Sequence, residues 1–378
     1  MTGSTDGIWI TEVEAPGPGP RLAVKDVFDT TGLRTTYGSA IFADHVPAET
    51  AEAVRLLEEA GYVNVGKANL HEFAYGVTSE NPHYGAVPNP LAPGRTAGGS
   101  SGGSAAALAA GLADAALGSD SAGSIRIPAA CCGVVGFKPT YGLVPIDGCF
   151  PLAPSFDHTG PMARDVAGCV AMMEALVPGF DAVEVELGDL RVGVAWLEEA
   201  EPLVRARVEE AAAHFQSPRE MPLAVPDRED WGAAFRREAL ESHAGLFPER
   251  AEDYGDDVRS SLEGAVDLTT SEVEAACRLR ERIREELPET LGDLDLLLTP
   301  TLPVVAPRYG EGTRTVLTRL TALFNLTGWP ALAMPCGPAE DGLPASVQLA
   351  APPGRDALVL AAGAALEGGL SCRPHPNE

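Results

Sequence analysis

The 378 residues carry 54 acidic against 27 basic side chains, for a net charge of −27, and 45% of them are hydrophobic. So apolar a chain can bury a sizeable core and is not expected to be disordered, while so acidic a surface repels phosphate backbones and anionic headgroups, which excludes nucleic acid and membrane as main partners. The first residues lack the basic start and apolar run of a signal peptide, and no apolar stretch reaches about 18 residues; the seven cysteines form no Cys-x-x-Cys pair and suit a reducing, cytoplasmic setting.

After the Pro-Gly run at 16–20, RLAVKDVFDT (21–30) predicts a short apolar strand with Lys25 inside it. In AETAEAVRLLEEAGYVNVGKANL (48–70), Ala51, Val54, Leu56, Leu57 and Ala60 recur at helical spacing, Gly61 closes the helix, and YVNVGK follows as a strand. Residues 76–97 are rich in turn formers. SAAALAAG (104–111) predicts a small, tight helix and DAALGSD (114–120) a buried strand, with Pro128 early enough for the first turn of the next helix. From about 165 to 290 the composition shifts to Glu, Arg and Ala with the periodicity of amphipathic surface helices. DLDLLLTP and ASVQLAA then read as strands, and DALVLAAGAALEGG as a closing helix. With no internal repeat and no long linker, one α/β domain around a central sheet is expected over 1–378.

Several partial motifs fail on their own terms. HEFAY (71–75) starts like a zinc-protease helix but has Tyr75 where the second histidine belongs, no histidines fall at ligand spacing, and no GxGxxG occurs, so neither metal nor cofactor is expected. Residues 98–102 match GxSxG, yet NPLAPGRTA before them is a poor strand, and His158 would have to complete the triad.

The two glycine-serine clusters around AAALAAGLADAAL remain. Ser124, in SDSAGSIR, follows small residues that leave the backbone N–H groups around it open, and the start of a helix would add a favourable dipole. Ser100 lies in the other glycine-rich bend, where unusual backbone shapes are tolerated. Lys25 sits in an apolar strand, where burial lowers a lysine's pKa and can make it a base. Taken singly, Lys25 also reads as a surface lysine on an edge strand and Ser124 as a helix cap; composition alone does not join the three.

GGSSGGSAAALAAG…LGSDSAGSIRIPAACCGVVGFKPTYG resembles the amidase signature family, as do RLAVKDVFDTTGLRTTYGS, HEFAYGVTSENPHYGAVPNP, LAPSFDHTGPMARD, LLLTPTLPVVAP, FNLTGWPALAMPCG and GLPASVQLA. The resemblance spans roughly 21–365 and is weakest through 180–290. It implies a central mixed β-sheet covered by helices on both faces, with a core at about 21–165 and 290–365 and a divergent helical, substrate-side region at about 166–290. It implies Ser124 as the acylated nucleophile, Ser100 as a bridging serine held by a cis peptide after Gly99, and Lys25 as the terminal base. Ser121, Ala122 and Gly123 with Ser124 would form the oxyanion loop, where Ala122 replaces a glycine frequent in the family and serves only if its φ is not positive. Asp120 and Arg126 would brace that loop, and Phe73, Ala74, Tyr75 and Gly76 would flank the acyl pocket. The implied activity is hydrolysis of a small carboxylic amide to the acid plus ammonia or amine, without metal or cofactor, and a homodimer is an assembly open to it. The alternatives are the glutaminase component of a glutamine-dependent tRNA amidotransferase and a non-catalytic protein on the same fold.

Overall fold

Along the strand RLAVK, Leu22 and Val24 enter one buried cluster and Ala23 another, the alternation of a strand covered on both faces. The computed structural model in which this is seen describes residues 6–14, 17–311 and 314–371. Its strands, in chain order, are β1 (Trp9–Glu12), β2 (Arg21–Lys25), β3 (Val63–Ala68), β4 (Glu80–Asn81), β5 (Gly85–Ala86), β6 (Ala115–Asp120) and β7 (Val135–Lys138). They continue as β8 (His158–Ala163), β9 (Val192–Val194), β10 (Arg219–Glu220), β11 (Leu296–Pro300), β12 (Ala331–Pro338) and β13 (Pro344–Ala350). Eleven of these form one sheet in the order β1-β3-β2-β6-β8-β7-β12-β13-β11-β9-β10, with β4 and β5 paired apart from it. The sheet is mixed: β2 runs parallel to β3 and β6, and β9 parallel to β10 and β11, while the remaining pairs are antiparallel.

Helices cover both faces, as expected. On one face Leu22, Val24 and Leu117 share a core with Val54 and Leu57 of helix Glu52–Glu59 and Met172 and Met173 of helix Val166–Leu176; Val359 and Leu366 of helix Asp356–Ser371 belong to the same cluster. On the other, Ala23, Ala68 and Ala116 meet Ala105, Ala106 and Ala107 of helix Gly102–Ala109 and Ala129 and Cys132 of helix Arg126–Cys132. The alanines let that second layer lie close to the sheet. The helix runs from Gly102 rather than from Ser104, and a Cβ on Gly103 in its first turn would come within 2.3 Å of the Asn69 carbonyl.

The region read as helical holds helices Pro202–Ala212, Arg228–Ser242, Asp256–Val266 and Thr270–Leu291, the last opened by a capping box of Thr269 and Glu272. It also holds β9 and β10, which extend the sheet at its far edge. Three and two residues long, they are too short for a period-two pattern to show. Among the described residues, no helix is long and apolar enough to cross a membrane.

Candidate active site

Parallel β2 and β6 lie side by side with Val24 opposite Leu117, so Lys25 and the 118–120 segment emerge together at the carboxyl end of the sheet. Ligands of open α/β sheets bind at that end. Lys25 is fully buried, and its Nζ lies 2.7 Å from Ser100 Oγ and 2.8 Å from Ser119 Oγ. No carboxylate touches it among the described residues. Burial pushes its pKa down to about 7, more than the negative charges of Asp120 and Asp157 farther off can offset. Two other lysines are equally buried but differently placed: Lys67 lies 3.3 Å from Asp26 and donates to Thr35 Oγ1, and Lys138 donates to the Pro139 carbonyl.

Ser100 is fully buried, the Gly99–Ser100 peptide is cis, and the Ser100 carbonyl accepts from the His71 N–H and Ser79 Oγ. The loop of Ser100 is tied to that of Ser124 by the Ser101 N–H, which donates to the Ser124 carbonyl at 3.2 Å. Ser124 Oγ itself has no hydrogen-bond partner among the described residues, and Ser124 lines a narrow cleft. Thus the structure joins Lys25 to Ser100 side chain to side chain, and the Ser100 loop to Ser124 through the backbone. The GxSxG reading has no strand to stand on, since only isolated bridges at Arg95 and Thr96 precede Ser100. His158 is buried on β8 near the Phe156 and Asp120 carbonyls.

Ser121, Ala122 and Ser124 line the cleft, and their N–H groups have no protein acceptor among the described residues. Ala122 is not at positive φ, so the alanine keeps its donor without strain. Gly123 differs from the expectation. Its N–H donates to Asp120 Oδ1 at 2.6 Å, and it is not among the cleft residues, so it leaves the donor set. Its contribution is shape: at φ +133, a Cβ there would meet Thr321 Oγ1 at 2.3 Å, the hydroxyl that donates to the Ala122 carbonyl at 2.6 Å.

Two carboxylates hold this loop from beneath. Asp120 is fully buried and receives Arg126 through Nε and Nη2, both at 3.0 Å, together with the Ile125 N–H and Asn325 Nδ2. Burial raises its pKa, but the charge and hydrogen bonds of Arg126 outweigh that and hold the carboxyl well below the usual range. Arg126 also donates to the Thr321 carbonyl, Gln348 Oε1 and Asn325 Oδ1, tying the loop to the C-terminal third of the chain. Removing one partner of such a pair leaves a bare buried charge, which costs about 3–5 kcal/mol. Arg126→Met is therefore expected to lower stability by that amount in urea unfolding, with Arg126→Met/Asp120→Asn less damaged than the sum of the single changes. Asp157 is the second carboxylate. It accepts from Ser121 Oγ at 2.5 Å and from the Leu152 and Ala153 N–H groups, and burial raises its pKa against those bonds. Sequence reasoning passed over it although it sits in the SFDHTGP landmark.

Ala74, Tyr75 and Gly76 line the cleft, but Phe73 does not. Successive positive φ values, +49 at Phe73 and +58 at Ala74, turn the chain there. The Phe73 ring packs among Phe150, His243 and Tyr254 in the core, while its successors face the cleft. The cleft is also lined by Arg228, Trp231 and Phe235 from helix Arg228–Ser242, with Arg314 and Thr318 from helix Arg314–Thr318. Nothing in the sequence marked these as cleft residues, because they lie apart from the two glycine-serine clusters and carry no motif of their own.

The family model named Amidase matches residues 19–217 and 227–360. The chain is 36% identical over 398 residues to a component of the glutamyl-tRNA(Gln) amidotransferase of Synechococcus sp. (strain RCC307), covering 91% of this chain and 82% of that protein. It is 37% identical over 391 residues to AtzE, a component of the 1-carboxybiuret hydrolase of Pseudomonas sp. (strain ADP), covering 94% and 85%. A solved structure described as an amidase superposes with a TM-score of 0.85 at 36% identity, over 93% of this chain and 84% of that one. Family match, fold and extent of likeness agree: this chain belongs to the amidase family of enzymes, hydrolases that act on amides.

Proposed function

We propose that the cleft hydrolyses small carboxylic amides through an acyl-enzyme on Ser124, with Ser100 and Lys25 as its proton relay. Neutral Lys25 Nζ accepts the proton of Ser100 Oγ, which takes that of Ser124 Oγ as Ser124 bonds to the amide carbon. The carbonyl electron pair moves onto oxygen, and the resulting oxyanion is met by the N–H groups of Ser121, Ala122 and Ser124. Collapse breaks the C–N bond, and the proton returns through Ser100 to the leaving nitrogen, giving ammonia or an amine. Water then adds to the acyl carbon, the same relay takes and returns its proton, and the bond to Ser124 breaks to release the acid. The observation that carries this reading is the 2.7 Å contact between Lys25 Nζ and Ser100 Oγ, made where no carboxylate among the described residues holds the lysine charged.

The test is ammonia release from a panel of primary amides, before and after treatment with a fluorophosphonate. Stoichiometric inactivation with the adduct mapped to the peptide holding Ser124 is the expected result. An adduct on another residue, or hydrolysis untouched by the reagent, would contradict the assignment. A second reading, the glutaminase component of an amidotransferase, draws on the likeness to the Synechococcus protein. Copurification with a partner chain, and activity confined to glutamine in its presence, would favour it over a small-molecule hydrolase acting alone in the cytoplasm.

A further inference from the structure

We infer that the cleft beside Ser124 is built for a small amide that itself carries a carboxylate. The inference rests on the amide-hydrolysing reading of the same cleft and names its substrate class. The chain has twice as many acidic as basic residues, yet the cleft wall holds two arginines, Arg228 and Arg314, and no aspartate or glutamate. Arg314 is fixed in place: it donates to Ser261 Oγ and to the Tyr75 carbonyl, both at 2.7 Å. Its nearest carboxylate, Asp257, stands 4.0 Å away and is already 2.6 Å from His71 Nε2. Arg228 is half-buried and has neither an ion-pair nor a hydrogen-bond partner among the described residues. Burial first, and then the like charge of Arg314, pull its pKa down to about 10, as for a guanidinium without an anion.

Two further donors among the cleft residues lack an acceptor. Tyr75 and Trp231 are each 3% exposed, and the Tyr75 hydroxyl and Trp231 Nε1 are buried with no hydrogen-bond partner among the described residues. Buried polar groups are ordinarily paired, and a buried cation costs most when it has no counter-charge. Among the cleft residues, Arg228 lacks a counter-charge and the Tyr75 hydroxyl and Trp231 Nε1 lack an acceptor, and one negatively charged acceptor would answer all three. A carboxylate supplies it, with two oxygens that a guanidinium can grip in bidentate fashion. The remaining wall, with Ala74, Val77, Leu152 and Phe235, suits a short carbon chain between that carboxylate and the amide.

The experiment compares succinamate and glutaramate with butyramide and valeramide, neutral amides of matching length, by ammonia release. The carboxylated amides are expected to have kcat/KM about 10- to 100-fold higher, the scale of charge-assisted hydrogen bonds. That ratio should fall towards one in Arg228→Gln and in Arg314→Gln, and partly recover in Arg228→Lys. Equal kcat/KM for charged and neutral amides, or a ratio that survives both arginine changes, would overturn the inference while leaving the amidase reading intact. Calorimetric titration of Ser124→Ala with glutarate gives a readout independent of turnover. Binding is expected, and it should weaken when Arg228→Gln is added; no binding overturns the inference. Arginine-dependent glutarate binding together with no ammonia from any amide would instead keep the carboxylate-binding part of this inference and overturn the hydrolytic reading.

Discussion

Ser124→Ala is expected to lower kcat for amide hydrolysis on the order of 10⁶-fold, the scale seen when a serine nucleophile is removed. The bond that forms in the first step starts from its Oγ, while the other serine and threonine hydroxyls of the cleft are engaged, Ser121 with Asp157 and Thr318 with the Arg314 carbonyl. What activity persists would come from those donors and from binding. Because Ser124 Oγ makes no hydrogen bond with the described residues, its loss should change stability by no more than about 0.5 kcal/mol. A steady-state assay paired with urea unfolding separates the two effects. Near-normal kcat in a stably folded Ser124→Ala would assign the nucleophile elsewhere.

Lys25→Met should cost about 10²- to 10⁴-fold in kcat/KM, the range for loss of a general base, and should also change the shape of the pH profile. With a pKa brought down to about 7 by burial, Lys25 is an ammonium below that pH and has no lone pair for the Ser100 proton. Above it, the amine is neutral and the relay can run. The parent enzyme is therefore expected to gain about tenfold in kcat/KM per pH unit on the acid side and to level off above about pH 7. In Lys25→Met that rise should be absent. Lys67→Met makes a useful contrast, because Lys67 is also buried but faces Asp26. It should unfold more readily, leaving Asp26 without its counter-charge, and keep the acid limb.

Much of this site could be read from the sequence because the residues concerned lie in short, rigid segments with distinctive neighbours. Lys25 closes a strand, Ser100 precedes a helix in a glycine-rich bend, and Ser124 follows small residues at a strand end. One signal lies in the lysine count itself. The chain contains only three lysines beside twenty-four arginines, and Lys25, Lys67 and Lys138 are all fully buried. With so few lysines, each one stands out in the sequence as a candidate for a special environment. Gly123 and Phe73 departed from expectation for a different reason. A glycine in a donor-rich loop gives no hint that its own N–H turns inward to Asp120, and the two positive φ values that send the Phe73 ring into the core belong to residue types that rarely adopt them. The part of the cleft lined by Arg228 and Arg314 was out of reach, since the two are 86 residues apart and come together only through tertiary packing.

The most direct measurement of the Lys25–Ser100–Ser124 relay is a crystal structure of the enzyme carrying a fluorophosphonate adduct. The expected result is phosphorus bonded to Ser124 Oγ, the phosphonyl oxygen held by the Ser121 and Ala122 N–H groups, and Ser100 Oγ within hydrogen-bond reach of both Lys25 Nζ and the modified serine. An adduct elsewhere, or a Ser100 hydroxyl that touches Lys25 but stays out of reach of Ser124, would contradict it.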